Sequence, residues 1–534
     1  MPRAKHSTID RTYSRYGREA IATLGQLIRI GRIERKLSMV ELAERVGISR
    51  DMLRRIENGD PRCEIGAVFE AATIVGVSLF EEDRGVWPRA WRSRPKNSAC
   101  FPRRSANPGP RRCAMTSERR HDEAYVWIWL PGAVEPVVAG LLSRQPDGRL
   151  AFNYGQSYLA RKDAVPIYDP ELPLKAGIQP PHDRMLLPSC IRDGSPDAWG
   201  RRVIINRMLG TKGNDANADL DELTYLLESG SDRVGALDFQ LSPTDYVPRA
   251  RQNASLEELM QSAERVEKGV SLSPDLDQAL QHGTSLGGAR PKALIDAKTR
   301  KFIAKFSASN DLYNVVKAEF IAMRMARLVG LDVAHVELTT GLGKDVLLIE
   351  RFDRQQGPRG WMRRAIVSTL TMLELDETEA RYASYEDLAE IVRHRFTGPK
   401  ATLEELFGRI VFNILSGNTD DHARNHAAFW DGKSLTLTPA YDICPQGRTG
   451  GEASQAMLIV GGKRLSQLTV CLEAAPNFLL SQDRARKIMD DQIAAIHANW
   501  DAVCDEAGLS QVDRALLWGR QFLNPFALQG FAES

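Results

Sequence analysis

The chain has 534 residues, 43% of them hydrophobic and 26% charged, a length beyond what one hydrophobic core organises, so several domains are expected. Its net charge of +2 hides a split, because residues 1–120 carry 25 Lys and Arg against 14 Asp and Glu while the remainder carries 46 against 55. Seven scattered cysteines without a C-x-x-C pair argue against a disulfide frame and for reduced thiols in the cytoplasm, and the most apolar stretch, Tyr125 to Leu142, is broken by Pro131, Glu135 and Pro136 and reads as strands rather than a membrane span.

Residues 1–18 read as a flexible arm, and Met1 to Asp10 has no apolar signal region. A helical domain is expected over 19–83. Its centre, Ser38 to Gly59, places apolar residues at Leu42, Val46, Leu53 and Ile56 on either side of Gly47, the pattern of two short helices sharing one core. Ser38 and Ser49 can cap these helices, and Asn58-Gly59 ends the second. An earlier helix is expected near Glu19 to Lys36, and later ones through Phe80. These residues resemble the helix-turn-helix of the Xre, Cro-repressor and HipB type. The resemblance implies that the second helix enters the major groove of palindromic operator DNA and that the protein is a homodimer. Ser49, Arg50, Asp51, Arg54 and Arg55 lie on faces not consumed by Leu53 and Ile56, and Arg50 or Arg54 can pair bidentately with guanine. The basic front end favours phosphate contacts that weaken with salt.

Residues 84–121 read as a flexible basic linker, since Arg84 to Arg120 holds eleven Lys and Arg against one acid, with repeated prolines and little apolar periodicity. Within it, Met115-Thr116-Ser117-Glu118 ahead of Ala124 to Trp129 looks like the beginning of a stand-alone protein, so the chain is read as joining what are usually two proteins.

Residues 122–220 open with a β-rich stretch from Ala124 to Leu174, and residues 221–373 are expected to hold a glycine loop and a hinge. Gly283 to Lys292 is glycine-rich and ends in Arg290 and Lys292, a composition that lets backbone N–H groups approach phosphates. Lys301 to Phe306 alternates as a strand, with Phe302, Ala304 and Phe306 on one face and Lys305 on the other. A helix over Val315 to Val329 follows, and its Glu319 can pair with Lys305. Leu347 to Arg354 is an apolar strand ending in charges, suited to a hinge over a base. In the last part, 374–534, apolar periodicity in Leu403 to Leu415 and Asp483 to Leu509 predicts a helical lobe.

The chemistry concentrates near residue 420. Asp420 stands five residues before Asn425, with Asp442 downstream, the spacing by which kinase loops orient a hydroxyl and hold Mg²⁺. Phosphoryl transfer needs positioning and charge neutralisation more than covalent help from the protein, and these residue types supply both.

Loop, strand Lys, helix Glu, hinge, Asp-x4-Asn and distal Asp occur in kinase order. With Leu187-Pro188, Asp197-Ala198-Trp199-Gly200, Thr284 to Ala293, Ile303 to Phe306, Glu350 to Arg354 and Asn418 to Asn425, the chain resembles the HipA-type toxin kinases over roughly residues 122–520. The resemblance implies an all-α helix-turn-helix domain followed by an α+β two-lobed kinase-like domain, the whole being an antitoxin-like DNA binder fused to a Ser/Thr protein kinase toxin. It implies Asp420 as the catalytic residue, and Asn425 and Asp442 as Mg²⁺ ligands. ATP would be contacted by Gly287, Gly288, Ala289, Arg290, Pro291, Lys292, Lys305, Glu350, Arg351, Phe352, His422 and Tyr441. Ser285 matches the loop serine that such kinases autophosphorylate, and an aminoacyl-tRNA synthetase or another translation component is one implied protein substrate. Two other readings use the same residues. One is a DNA-binding regulator whose kinase-like domain senses nucleotide without activity. The other is a phosphohydrolase whose metal is held by Asp420, Asp421, His422 and His426.

Overall fold

The computed structural model describes residues 15–77, 121–182, 184–209, 220–249, 254–270, 290–308, 311, 313–448 and 450–531. Most of the expected arm, the basic linker, and the loop residues Ser285, Gly287, Gly288 and Ala289 lie outside these. The chain separates into two compact units, Met1–Arg119 and Arg120–Ser534.

The first unit has helices α1 (Arg15–Glu34), α2 (Met39–Val46), α3 (Arg50–Glu57) and α4 (Ile65–Ile74). Ser38 closes a capping box with Glu41 at the start of α2, and the Ser49 side chain accepts from Met52 N at the start of α3. Gly47 turns the chain between them at φ 76, a left-handed conformation that favours glycine. Leu42, Val46, Leu53 and Ile56 meet Ile28 of α1 and Ala71, Ala72 and Ile74 of α4 in one small core. A partly buried ion pair ties α1 to α3, with Arg32 Nε 2.6 Å from Glu57 Oε1.

The second unit begins with strands β1 (Glu123–Ile128), β2 (Val137–Arg144) and β3 (Leu150–Tyr154), which with β4 (Leu237–Gln240) form an antiparallel sheet in the order β3-β2-β1-β4. Helices α5 (Ala198–Leu209) and α6 (Leu256–Glu267) lead to a second antiparallel sheet, β5 (Lys292–Asp296), β6 (Lys301–Phe306), β7 (Val336–Gly341) and β8 (Lys344–Glu350), ordered β5-β6-β8-β7. Its two faces do different work. Ala293, Ala304, Phe306 and Val346 pack with Trp199 and Val203 of α5 and Leu259, Met260 and Ala263 of α6. The period of two then turns Lys292 and Lys305, paired directly across β5 and β6, to the opposite face. Helix α7 (Val315–Leu328) joins Leu347 and Ile349 in the larger core.

Beyond β8, strands β9 (Arg354–Gly357) and β10 (Gly360–Arg363) form a hairpin, and β11 (Ala365–Ser368) pairs with β12 (Ala427–Trp430), which pairs with β13 (Leu435–Leu437). Helices α8 (Thr369–Met372), α9 (Tyr385–Arg395), α10 (Pro399–Ser416) and α11 (Gln482–Glu506) build the helical part, where Leu406, Phe407, Ile410, Val411 and Ile414 of α10 are buried. Among the described residues, no helix is long and apolar enough to cross a membrane.

Candidate active site

Lys305 leaves the middle strands of the second sheet on the face away from α5 and α6. Its Nζ lies 2.6 Å from Glu319 Oε1 on α7 and also donates to Asp442 Oδ1. The strand lysine, the helix acid and the distal acid therefore meet at one ammonium. Burial works against charge at both Asp442 and Lys305, yet each keeps the other ionised: Asp442 is held down to about 2, and Lys305 is raised above the ordinary lysine value. Asp442 has φ 59, a left-handed conformation that non-glycine residues adopt where the surroundings enforce it.

The loop carrying Asp420 starts where α10 stops. Gly417 closes that helix at φ 72, and a Cβ there would stand 2.8 Å from the Gln521 carbonyl, so glycine is required for conformation and for space. Asn418 then bonds back to Asn413, side chain to side chain at 3.0 Å. The Asp420 carbonyl accepts from His422 N at 2.9 Å and from Asn425 Nδ2 at 3.2 Å, which curls the loop and leaves the Asn425 side-chain oxygen available as an acceptor. Although the residue as a whole is exposed, neighbouring groups keep part of the water from the Asp420 carboxyl and raise it above its ordinary value; nearby His422 opposes the rise and Asp442 adds to it.

Asp421 and His426 turn the other way. Asp421 Oδ1 is 2.9 Å from His426 Nε2, and Tyr385 OH, 3.0 Å from the same nitrogen, donates to Asp421. All three are buried, so this is an internal anchor of the loop and does not gather Asp421 and His426 with Asp420 and His422 around a metal. A second anchor comes from α8, where Thr369 N donates to His426 O at 2.8 Å and Leu370 N to Ala423 O at 3.2 Å. The helix is itself held by Asp193, which accepts from Ser368 N at 2.8 Å and Ser368 Oγ at 2.7 Å.

A cavity of about 410 Å³ opens between these parts, in the usual range for small-molecule sites. Ile303, Lys305, Ile349, Glu350, Arg351, Phe352, His422, Asn425, Tyr441 and Asp442 all line it, whereas the exposed Asp420 stands outside its wall. Phe352 packs at 5.6 Å from the Tyr441 ring and 5.8 Å from Phe429, and Tyr441 OH donates to Arg424 O at 2.7 Å.

Other expected contacts have different partners. The Arg351 guanidinium is buried against Asp353 at 2.8 Å and Asp232 at 3.1 Å, so its charge serves an internal network. Glu350 lies 3.7 Å from Arg300. Arg290 is clamped by Asp311 through two bonds of 2.6 and 3.0 Å. The Pro291 carbonyl accepts from Phe306 N at 3.0 Å, and Lys292 is buried beside Asp197 at 3.3 Å.

Residues missed in the sequence are among these partners: Asp311, Asp232 and Asp193 have no part in the sequence reading, and Asp197 enters it only within the stretch Asp197 to Gly200 that carries the resemblance, without its pairing to Lys292. In the helical unit, Arg50, Asp51 and Arg54 of α3 are exposed, while Arg55 is half-buried and bonds Asp60 at 2.8 Å. Ser49 is exposed but spends its hydroxyl on the cap.

Comparison with known proteins adds to this geometry. Three family descriptions match: a HipA N-terminal domain over 130–240, a HipA-like C-terminal domain over 284–500, and a helix-turn-helix domain over 23–84. Among curated proteins, the "Putative kinase Y4mE" of Sinorhizobium fredii is 26% identical over 339 residues, 59% of this chain and 76% of that protein. The serine/threonine-protein kinase toxin HipA of Shewanella oneidensis is 26% identical over 186 residues, 30% of this chain and 42% of that protein. A solved complex of the Shewanella oneidensis toxin–antitoxin system, HipA, HipB and its operator DNA, contains a chain that aligns at a TM-score of 0.54 and 18% identity, covering 76% of this chain and 99% of that one, a likeness of fold.

Proposed function

This chain belongs to the HipA-like kinases, with a helix-turn-helix domain ahead of the kinase domains, and we propose that it transfers the γ-phosphoryl group of ATP to a protein serine or threonine. The observation that carries this reading is Lys305 bridging Glu319 and Asp442 at the edge of a cavity that Asn425 also lines. An ammonium fixed between two acids presents its charge at one place, the task of a phosphate-orienting lysine. Phe352 and Tyr441, their rings tilted 39° to each other, offer aromatic surface for a base beside the strand that ends at Glu350. The Arg351 side chain is used elsewhere, and its N–H donates to Lys301 O at 2.8 Å, which leaves its carbonyl as the one backbone group it can offer a base.

Asn425 and Asp442 suit Mg²⁺. The Asn425 amide nitrogen is used within the loop, so its oxygen is left for a cation, and Asp442 is ionised at neutral pH. Both are hard oxygen donors. Bound there, Mg²⁺ would neutralise phosphate charge. Asp420, exposed at the loop and with its carboxyl above the ordinary value, would accept the proton of an acceptor hydroxyl or orient it.

Ser285 is the expected internal acceptor, and a phosphate on it would add nearly two negative charges beside Arg290 and Lys292 in sequence. The resemblance to toxin kinases extends the reading to a translation component as external substrate, and to a toxin–antitoxin module whose helix-turn-helix binds its own operator as a dimer. Labelled ATP with Mg²⁺ tests the chemistry: phosphoserine mapped to Ser285, absent from the Ser285→Ala protein, is expected. Release of inorganic phosphate with no label on any protein would instead indicate a hydrolase.

A further inference from the structure

Arg424 stands between Asp420 and Asn425 on the loop that follows α10. Its main chain is fixed on both sides. Tyr441 OH donates to the Arg424 carbonyl at 2.7 Å, Leu370 N donates to the preceding Ala423 carbonyl at 3.2 Å, and Asn425 N donates to His422 O at 2.8 Å. The side chain therefore leaves a rigid base. Its guanidinium donates to Glu377 Oε1, at the start of the short 3-10 helix Glu377–Tyr382. Arg424 and Glu377 both line the cavity that Lys305, Asn425 and Asp442 line.

Among the described residues, five cations line this cavity, and four of them are committed inward. Lys305 bridges Glu319 and Asp442, Arg351 is buried against Asp353 and Asp232, Arg201 of α5 lies 2.6 Å from Glu222, and the buried Arg192 donates to Leu375 O at 3.0 Å. Arg424 differs. Its side chain is 36% exposed and that of Glu377 is 54% exposed, more than any other carboxylate in this set. An ion pair this open is worth little, because water and salt screen it. Its charge nonetheless reaches inward: burial raises the Asp193 and Asp197 carboxyls of the cavity wall, and Arg424 is among the cations that oppose the rise.

A planar guanidinium can give a phosphoryl group two parallel hydrogen bonds, which makes phosphate a stronger partner than a screened surface carboxylate. We propose that Arg424 exchanges Glu377 for the γ-phosphoryl group of bound ATP, so that the loop supplies a cation between Asp420 and Asn425. Until nucleotide arrives, Glu377 holds the guanidinium at the cavity wall. This rests on the reading of the cleft as an ATP site. The exchange gives the two partners opposite signs: losing Arg424 removes a phosphate contact, whereas losing Glu377 removes a competitor for it.

The test uses the full chain as wild type, Arg424→Gln, Arg424→Lys and Glu377→Gln. Each is titrated calorimetrically with Mg-ADP and with a Mg-ATP analogue whose β,γ-bridging oxygen is replaced by NH, and urea denaturation checks that each variant is folded. Arg424→Gln is expected to bind the triphosphate about tenfold more weakly, as loss of a charged hydrogen bond implies, with Mg-ADP affinity unchanged. Arg424→Lys, which keeps the charge without the fork, is expected to recover part of the loss. Glu377→Gln is expected to bind the triphosphate roughly two- to fivefold more tightly, the small gain that loss of a screened pair allows. Triphosphate binding by Glu377→Gln no tighter than that of the wild type would make the pair a structural tie and overturn the proposal. So would equal weakening of ADP and triphosphate in Arg424→Gln, and both results leave Asp420-dependent transfer, and with it the kinase reading, standing. A wild-type protein that binds neither nucleotide would overturn both.

Discussion

Lys305 holds two carboxylates, Glu319 and Asp442, that would repel each other without it. Replacing it with methionine removes the shared ammonium and leaves the buried Glu319 facing the half-buried Asp442. Lys305→Met is therefore expected to lower the rate of phosphate transfer from labelled ATP at least about a hundredfold, in line with loss of a group aimed at developing charge. Tyr385 makes the opposite case, because its hydroxyl serves Asp421 and His426 inside the core. Tyr385→Phe is expected to cost about 1–3 kcal/mol in urea denaturation while transfer stays within a few-fold of wild type. Transfer abolished by this change with stability intact would return Asp421 and His426 to the chemistry. The residue pattern alone separated Asp420, Asn425 and Asp442 by spacing, yet it could not divide the run Asp420-Asp421-His422 into outward and inward members. That division depends on Tyr385, which belongs to a different helix.

The strand ending at Glu350 leads into a set of charges that fasten it to the stretch before β4. Asp232 lies 2.7 Å from Arg354 and 3.1 Å from Arg351, and Asp353 lies 2.8 Å from each arginine. Burial alone would raise both carboxyls, but Arg351 and Arg354 outweigh it and hold them below the ordinary value of 3.8. A carboxyl lowered on folding stabilises the fold above its unfolded value, and that stabilisation is lost as the pH falls through the folded one. Denaturation midpoints should thus drop as pH is lowered below about 4 in the wild type. Arg354→Met should start about 3–5 kcal/mol less stable at neutral pH and show a shallower acid loss. Equal acid dependence in the two proteins would contradict this. Elements with local signals were legible: the Ser38 and Ser49 caps, the Gly47 turn and the alternation of β6 all follow from neighbours in sequence. The charged run Glu350 to Arg354 was legible as a strand end, but its use was not. Asp232, which neutralises Arg351, lies 119 residues earlier, and no local periodicity carries a pairing of that range. Lys292 and Asp197, 95 residues apart, were hidden for the same reason.

The two units have separate cores and opposite charge, the first 120 residues basic and the rest acidic. DNA binding by the helix-turn-helix should therefore weaken with salt, each neutralised phosphate contributing about −0.9 to the slope of log affinity against log salt. Arg54→Ala, which removes an exposed guanidinium from α3 without touching its core, should weaken operator binding roughly tenfold or more, measured by fluorescence anisotropy at fixed salt. The same change in affinity for an unrelated duplex would make Arg54 a phosphate contact instead. Whole-chain order of the kinase parts was readable because each has its own residue pattern, while the placement of Ser285 and the glycine loop against the cleft depends on residues outside those described. The kinase reading itself turns on Asp420, exposed at the loop while Lys305, Asn425 and Asp442 line the cavity. Mg-ATP binding and phosphate transfer should therefore be measured side by side on the wild type and Asp420→Ala. Binding unchanged with transfer reduced about a thousandfold or more is the predicted result for an acceptor-orienting carboxylate. Transfer at the wild-type rate by Asp420→Ala would contradict the assignment.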